Sequence, residues 1–410
     1  MDVRALAERH RDGVTALLSD LVRTPSLSAE EEAVIARLAQ EMRDLGYDEV
    51  IVDPIGSVIG RIGSGPIRVV YDSHVDTVGV GSRSEWQRDP FGARIEDGVM
   101  YGRGASDDKG GIASMVRGGA AAKEAGLPPE LTLYVVGSVQ EEDCDGLALE
   151  HLLTTTIPRP DLVVLGEATN LDVYRGHRGR VEALVRTRGS SCHASAPERG
   201  VNPTYALAPI MTAIGRLNGE LGARPAAFLG AGSIAVTKIE CETPNLNAVP
   251  STATLYVDRR ITEGETMEEV LAEIRDLPEV KAAGGEVELL TYERVAYTGN
   301  TFGQDKYYPA WATDPSHPAL AAGLDAGEDA LGRRPKIGKW VFSTNGVASM
   351  GKLGIPTIGF GPSNEIYAHT VADQCPIDDL VAAIAWYASF PQRYIAELTQ
   401  RGLRASGSLD

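Results

Sequence analysis

Ile67-Arg68-Val69-Val70-Tyr71, running on into Asp72-Ser73-His74-Val75-Asp76, is the stretch that decides how this chain folds. The first five residues are mostly apolar and β-branched and do not alternate strictly, which predicts a strand buried on both faces. Its far end carries an imidazole and a carboxylate two residues apart. In open α/β sheets ligands collect at the carboxyl ends of strands, so His74 and Asp76 stand where chemistry is expected. Apolar runs of the same kind recur at 131–136 and 162–165. Between them lie a Gly/Ala-rich helical stretch from about Gly110 and a second helical stretch at 147–153. Buried strands alternating with helices predict an α/β fold whose parallel sheet is covered on both faces.

Working outward, Val3, Leu6, Val14, Leu17, Leu18 and Leu21 keep helical spacing and predict one helix over 3–22, ended by Pro25. Ser28 and Glu31 read as a capping box for the next helix, which Gly46 stops. Strands are expected at 50–52 and 57–59. The rhythm changes at Gly176-His177-Arg178-Gly179. Residues 181–187 alternate like a half-exposed strand, a long helix follows Pro203, and strands are expected at 233–239, 252–257 and 287–290, with a helix at 267–277. This pattern predicts a smaller α+β domain inserted into the first, and 410 residues exceed what one core usually serves. The divisions are 1–176, 177–295 and 296–410. In the last part a helix at 320–331, a strand at 357–360 and a helix at 378–398 restore the α/β rhythm.

Thirty-nine Lys and Arg against 57 Asp and Glu give a formal net charge of -18, a surface that repels nucleic acid and anionic lipid. The longest apolar stretch, 380–390, is too short to span a bilayer. Charges in Met1-Asp2-Val3-Arg4 leave no export signal in view. Cys144, Cys192, Cys241 and Cys375 form no Cys-x-x-Cys pair, so a reducing cytoplasm is the expected home.

Chemistry-bearing residues recur at the predicted strand ends. The loop Tyr101-Gly102-Arg103-Gly104-Ala105-Ser106-Asp107-Asp108-Lys109-Gly110-Gly111 leads into a helix but lacks the Gly-Lys-Ser/Thr ending of a nucleotide loop. Glu141-Glu142 follows the strand at 131–136, where two adjacent carboxylates call for a cation or a proton. Glu167 stands just past 162–165, and His369 follows the strand at 357–360. Two histidines and several carboxylates at one sheet rim suit zinc, in sufficient number for two ions. Paired metals activate water, which is hydrolytic chemistry.

On these residues the chain resembles the dinuclear zinc aminoacylases and peptidases that include acetylornithine deacetylase, succinyl-diaminopimelate desuccinylase and glutamate carboxypeptidase. The matching runs are 73–78, Trp86, Asp89-Pro90-Phe91, Asp97-Gly98, 101–111, Glu141-Glu142, 166–169, Ser191-Cys192-His193-Ala194, Asn247-Ala248-Val249-Pro250 and Ala368-His369-Thr370. The resemblance implies a mixed, mostly parallel sheet with helices on both faces, plus an inserted lid and dimerisation domain. It implies two zinc ions per subunit, replaceable by cobalt or manganese. Asp107 would bridge them, His74 and Glu167 completing one site and Glu142 and His369 the other. Asp76 would orient His74, and Glu141 would be the general base that takes a proton from the attacking water and passes it to the leaving amine. His193 and Asn247 would reach the scissile carbonyl, His193 from the partner of a homodimer, and Arg260 would grip a substrate carboxylate. A cis Asp107–Asp108 peptide is also implied.

The implied reaction is hydrolysis of the amide bond of small N-acyl amino acids or short peptides. A dipeptidase or carboxypeptidase is the alternative within that chemistry, and a non-catalytic binding protein on the same fold the alternative outside it. Gln374 and Asn345 replace the acids of many relatives near the expected substrate region. The runs 71–80 and 342–346 look most like a subgroup of hydrolases linked to selenium metabolism.

Overall fold

A computed structural model describes residues 2–224 and 227–403. Nine strands form the main sheet. Its path starts with Glu49–Val52, Val58–Gly63, Leu131–Ser138, Ile67–His74 and Leu162–Leu165, and ends with Thr357–Gly359, Val173–His177 and Trp311–Ala312; Ile337–Trp340 also pairs with Val173–His177. The four strands from Leu131–Ser138 to Thr357–Gly359 run parallel, while Val58–Gly63 pairs antiparallel with Leu131–Ser138 and Glu49–Val52 antiparallel with Val58–Gly63. The sheet is therefore mixed around a parallel centre.

Alternate residues of the central strands point to opposite faces, as the two-residue repeat of a strand requires. Val69, Tyr71, Leu133, Val135, Leu162 and Val164 join one core cluster with the helices Arg11–Arg23, Glu32–Asp44, Lys109–Glu124, Pro318–Leu331 and Ile377–Gln400. Val70, Tyr134, Val136, Val163 and Leu165 join a second cluster with Leu149, Leu152, Trp311 and Trp340. Burial on both sides explains why these strands are apolar throughout.

Two local expectations are corrected. The N-terminal helical stretch is two helices, Val3–Glu8 and Arg11–Arg23, the first packed chiefly on Ile377–Gln400 and the second chiefly on Lys109–Glu124. The chain turns at His10, whose buried ring sits 3.2 Å from Glu124. The Ser28–Glu31 capping box does not form. Ser28 Oγ donates to Asp76 at 2.7 Å, and the Glu31 carboxylate accepts from the Ala29 and Gln140 N–H groups.

A separate antiparallel sheet is ordered Ser233–Glu242, Thr252–Ile261, Gly179–Arg188, Glu286–Leu289, with Tyr307–Tyr308 also paired to Gly179–Arg188. The helices Pro203–Gly222 and Met267–Arg275 cover one face over Val181, Ala183, Val185, Leu255 and Val257. The other face carries Arg180, Glu182, Asp258 and Arg260. The hairpin of Thr291–Val295 and Thr301–Asp305 reaches back to the first sheet, where Tyr297 Oη donates to the Gly56 carbonyl and Tyr292 Oη to Gln140.

Candidate active site

Register brings the sequence-predicted residues to one rim. His74 is the last residue of its strand and pairs with Ser138, three residues before Glu141; Asp72 pairs with Leu165, two before Glu167. Thr357–Gly359 runs parallel to Leu162–Leu165 and delivers the segment bearing His369 to the same side. Asp107 sits just before the helix Lys109–Glu124, and the Asp107–Asp108 peptide is cis. Gly111 in that helix has no room for a side chain, because a Cβ would lie 2.2 Å from Asp108 Oδ1 and 2.6 Å from the Gly166 carbonyl.

Asp107 stands between the two histidines. Its Oδ1 is 2.9 Å from His74 Nε2 and its Oδ2 is 3.2 Å from His369 Nε2. Glu142 Oε2 lies 2.9 Å from His369 Nε2, while Glu167 and Glu141 approach His74 Nε2 to 3.8 and 4.0 Å. Candidate ligand atoms of His74, Asp107 and Glu142 form one group within 4.8 Å, and those of His74, Glu141 and Glu167 another. Gln140 and His369, flanking these carboxylates, both adopt left-handed backbone, with φ of 57° and 60°. Non-glycine residues take that conformation only where surroundings enforce it, often at functional sites.

Supporting bonds fix this geometry. His74 Nδ1–H donates to the main-chain carbonyl of Asp76 at 2.9 Å, which turns Nε2 toward Asp107. The Asp76 carboxylate is 3.6 Å from the ring and instead accepts from the N–H groups of Glu141 and Glu142 and from Ser28 Oγ. Asp76 thus positions both His74 and the acidic pair. Asp373, buried, takes hydrogen bonds from Arg103 Nη1, Gly104 N, Ser106 N and Ser106 Oγ, and so pins the loop before Asp107.

The cluster is electrostatically incomplete as protein alone. Burial, with repulsion from neighbouring carboxylates, pushes Glu141, Glu142 and Glu167 above the usual carboxyl range. Burial opposes the charge on His74, yet Glu141, Asp107, Asp76 and Glu167 push it well up. Hydrogen bonds to Asp107 and Glu142 push His369 to about 10. Burial would raise Asp107, but its bonds to His369 and His74 reverse that and hold it well down. Glu141 Oε1 is buried without a hydrogen-bond partner. An imidazole and carboxylate donor set, crowded and short of positive charge, fits divalent cations of the zinc type.

A cavity of about 360 Å³ opens on this cluster, lined also by Asp145, Arg180, Arg260, Phe342, Ser343 and Glu365. Arg180 and Arg260 face each other across adjacent strands, bonded respectively to Asp145 at 3.0 Å and Asp258 at 2.8 Å. Sequence reading found Arg260 but missed Arg180, although its place on the polar side of the alternating strand was a signal. Asp145, in the acidic run after Glu142, was likewise visible; Glu365 had no such marker. The segments bearing His193 and Asn247 meet, the Ala194 N–H donating to the Asn247 carbonyl at 2.8 Å, but both residues are exposed and neither appears among the described residues lining the cavity. Asn345 and Gln374 are also absent from the described residues lining that cavity. Asn345 is buried, donating to Asp72 and Ser138 and accepting from Gly146 N, and Gln374 lies in a strand paired with Val99–Tyr101. Arg259 beside Arg260 is fully buried and bonded to Glu265 and Glu273.

Residues 70–393 match the sequence model of Peptidase family M20/M25/M40. The uncharacterized protein YgeY of Escherichia coli (strain K12) is 42% identical over 390 residues, covering 95% of this chain and 96% of its own length. A succinyl-diaminopimelate desuccinylase of Xanthobacter autotrophicus (strain ATCC BAA-1158 / Py2) is 27% identical, over 93% of this chain and 99% of its own. In fold, the chain is similar to an M20 family metallo-carboxypeptidase, Sso-CP2 from Sulfolobus solfataricus, with a TM-score of 0.73 and 19% identity over 92% of this chain and 98% of that one.

Proposed function

The chain belongs to peptidase family M20/M25/M40, a family of hydrolases, and on that premise we propose that it is a dinuclear zinc enzyme cleaving the amide bond of small N-acyl amino acids or short peptides. The observation that carries this reading is the division of the Asp107 carboxylate, one oxygen toward His74 and the other toward His369. Asp107 would bridge two ions, with His74 and Glu167 on one and Glu142 and His369 on the other; cobalt or manganese could replace zinc. When bound, such ions polarise a carbonyl and acidify water. Glu141, whose Oε1 has no protein partner, takes the proton of the attacking water and returns it to the departing amine. Arg260, held by Asp258, presents its guanidinium to a substrate carboxylate. The desuccinylase among the relatives supports an N-acyl substrate.

Residues 177–295 are the lid and dimerisation domain in this reading, flanked by the two parts of the catalytic domain, 1–176 and 296–410. The edge strand Ser233–Glu242 is exposed along most of its length, and Tyr205 and Leu246 beside this sheet are 78% and 98% exposed. A second copy covering that edge would form a homodimer and bring the partner's His193 toward the scissile carbonyl, with Asn247 beside it. The cytoplasm suits four free cysteines, and no described helix is long and apolar enough to cross a membrane.

The test is chelation, reloading with zinc, metal analysis, and turnover of N-acetyl and N-succinyl amino acids alongside dipeptides. Binding should approach two equivalents, and the ratio of acyl to dipeptide turnover separates a deacylase from a dipeptidase. A plateau at one ion overturns the dinuclear site. Absence of amide hydrolysis by the two-ion protein across the panel overturns the enzyme reading.

A further inference from the structure

The cavity extends past the ligand cluster to a wall made by Phe342, Ser343 and Glu365. Phe342 and Ser343 lie on the loop after Ile337–Trp340, and Glu365 begins the short turn Glu365–Tyr367 that leads to His369. Two atoms of this wall, Ser343 Oγ and Glu365 Oε2, are buried and lack hydrogen-bond partners. A buried carboxylate oxygen without a donor is unfavourable unless something that binds there supplies one.

The surrounding charges indicate what that is. Arg180 is taken by Asp145 and Arg260 by Asp258. Two divalent ions would balance Asp107, Glu141, Glu142 and Glu167. Glu365 forms no salt bridge among the described residues and is the carboxylate of the cavity that none of these partners offsets. Its hydroxyl neighbour can accept a further hydrogen bond, so the wall offers acceptors to a compact cationic donor.

We propose that Glu365, assisted by Ser343 Oγ, is the specificity-determining residue of this cavity and binds a primary ammonium group of the substrate. The inference rests on the hydrolase reading above and deepens it. The ammonium has two possible sources, the side chain of an acylated diamino acid or the free N-terminus of a dipeptide.

Three amides separate these sources. Nα-acetyl-ornithine and glycyl-norvaline each differ from acetyl-norvaline by one added ammonium, on the side chain and on the acyl group respectively. With zinc-loaded protein, one of the two cationic amides should exceed acetyl-norvaline by about 10- to 100-fold in kcat/KM, the range for a buried charged hydrogen bond, chiefly through KM. Glu365→Gln should abolish that preference, bringing the favoured cationic amide to the level of acetyl-norvaline in the same variant, and leave the bound zinc unchanged; Glu365→Asp should restore part of it. Equal turnover of all three by the wild type overturns the proposal, and so does an equal fall for all three in Glu365→Gln, which would mean that the residue merely places His369. Calorimetric binding of ornithine against norvaline, and of glycyl-norvaline against acetyl-norvaline, asks the same question without turnover. Absence of any ammonium preference in binding overturns the role of Glu365, whereas binding preference without hydrolysis overturns the hydrolase reading alone.

Discussion

Protonating His177 should destabilise the fold in a defined pH window. The ring is fully buried beside Trp311 and Trp340. Its Nδ1–H donates to the Arg178 carbonyl at 2.7 Å, and its Nε2 accepts from both Trp311 Nε1–H at 2.7 Å and Thr344 N–H at 3.0 Å. A proton on Nε2 would face two donors. Burial, the largest influence, lowers the imidazole from 6.5 to about 4. Above pH 6.5 the ring is neutral in folded and unfolded chains alike, so its contribution to stability is fully present. Below pH 6.5 the unfolded chain takes up a proton that the folded one refuses until about pH 4, and stability falls across that window. At about 1.4 kcal/mol per pH unit the loss reaches roughly 3 kcal/mol. Asp72 and Asp373, each pushed up to about 6 chiefly by burial, oppose this trend, since the folded protein takes their protons first. The informative quantity is therefore a difference. Denaturant unfolding of wild type and His177→Gln from pH 7.5 to 4 should show a variant that is less stable at pH 7.5 and loses less stability on acidification. Parallel curves for the two proteins would refute the argument.

Glu141→Gln should retain two equivalents of zinc while turnover drops by about two to four orders of magnitude, the range for a lost acid–base group; near-normal turnover would remove Glu141 from the mechanism. Asp373→Asn leaves buried Arg103 without its counter-charge and turns an amide N–H₂ toward backbone donors, so unfolding free energy should fall by roughly 3 kcal/mol and zinc should be held less firmly. Unchanged stability and zinc retention would show that Asp373 does not hold the loop before Asp107. Mixing His193→Ala and Glu141→Ala homodimers, each nearly inactive, should recover roughly a quarter of wild-type activity after random subunit exchange, because each mixed dimer holds one intact site. No recovery despite proven exchange would confine His193 to its own subunit or to a structural role.

The fold was most legible where one physical requirement acts alone. Leu162–Leu165 was bounded correctly because burial on both faces leaves only apolar side chains acceptable there. Val173–His177 escaped notice because Tyr174, Arg175 and Gly176 break the apolar run, and its place in the sheet is set by distant partners, Ile337–Trp340 and Trp311–Ala312. The exposed hairpin Thr291–Asp305 escaped for a related reason. Its side chains answer to solvent, and its position is held by bonds to residues far away in sequence, such as Gly56 and Gln140. Helical periodicity could not reveal the break at His10, across which the main packing partner changes from Ile377–Gln400 to Lys109–Glu124.

The site divides along the same line. Residues whose chemistry needs a particular functional group at a strand end, such as His74, Glu142, Glu167 and His369, could be found because acid and imidazole are conspicuous beside apolar strands. What holds them was hidden, because any donor or acceptor brought near by the fold would serve. The Asp76 carbonyl rather than its carboxylate holds His74, and Asp373 reaches Gly104 and Ser106 across more than half the chain. Asn345 shows how the same substitution reads differently from the two sides. In sequence it replaces an acid and suggests a changed substrate. In the structure its amide nitrogen donates to Asp72 and Ser138, which an ionised aspartate could not do, while its oxygen accepts from Gly146. The substitution therefore bears on how the strand ends beneath the site are joined.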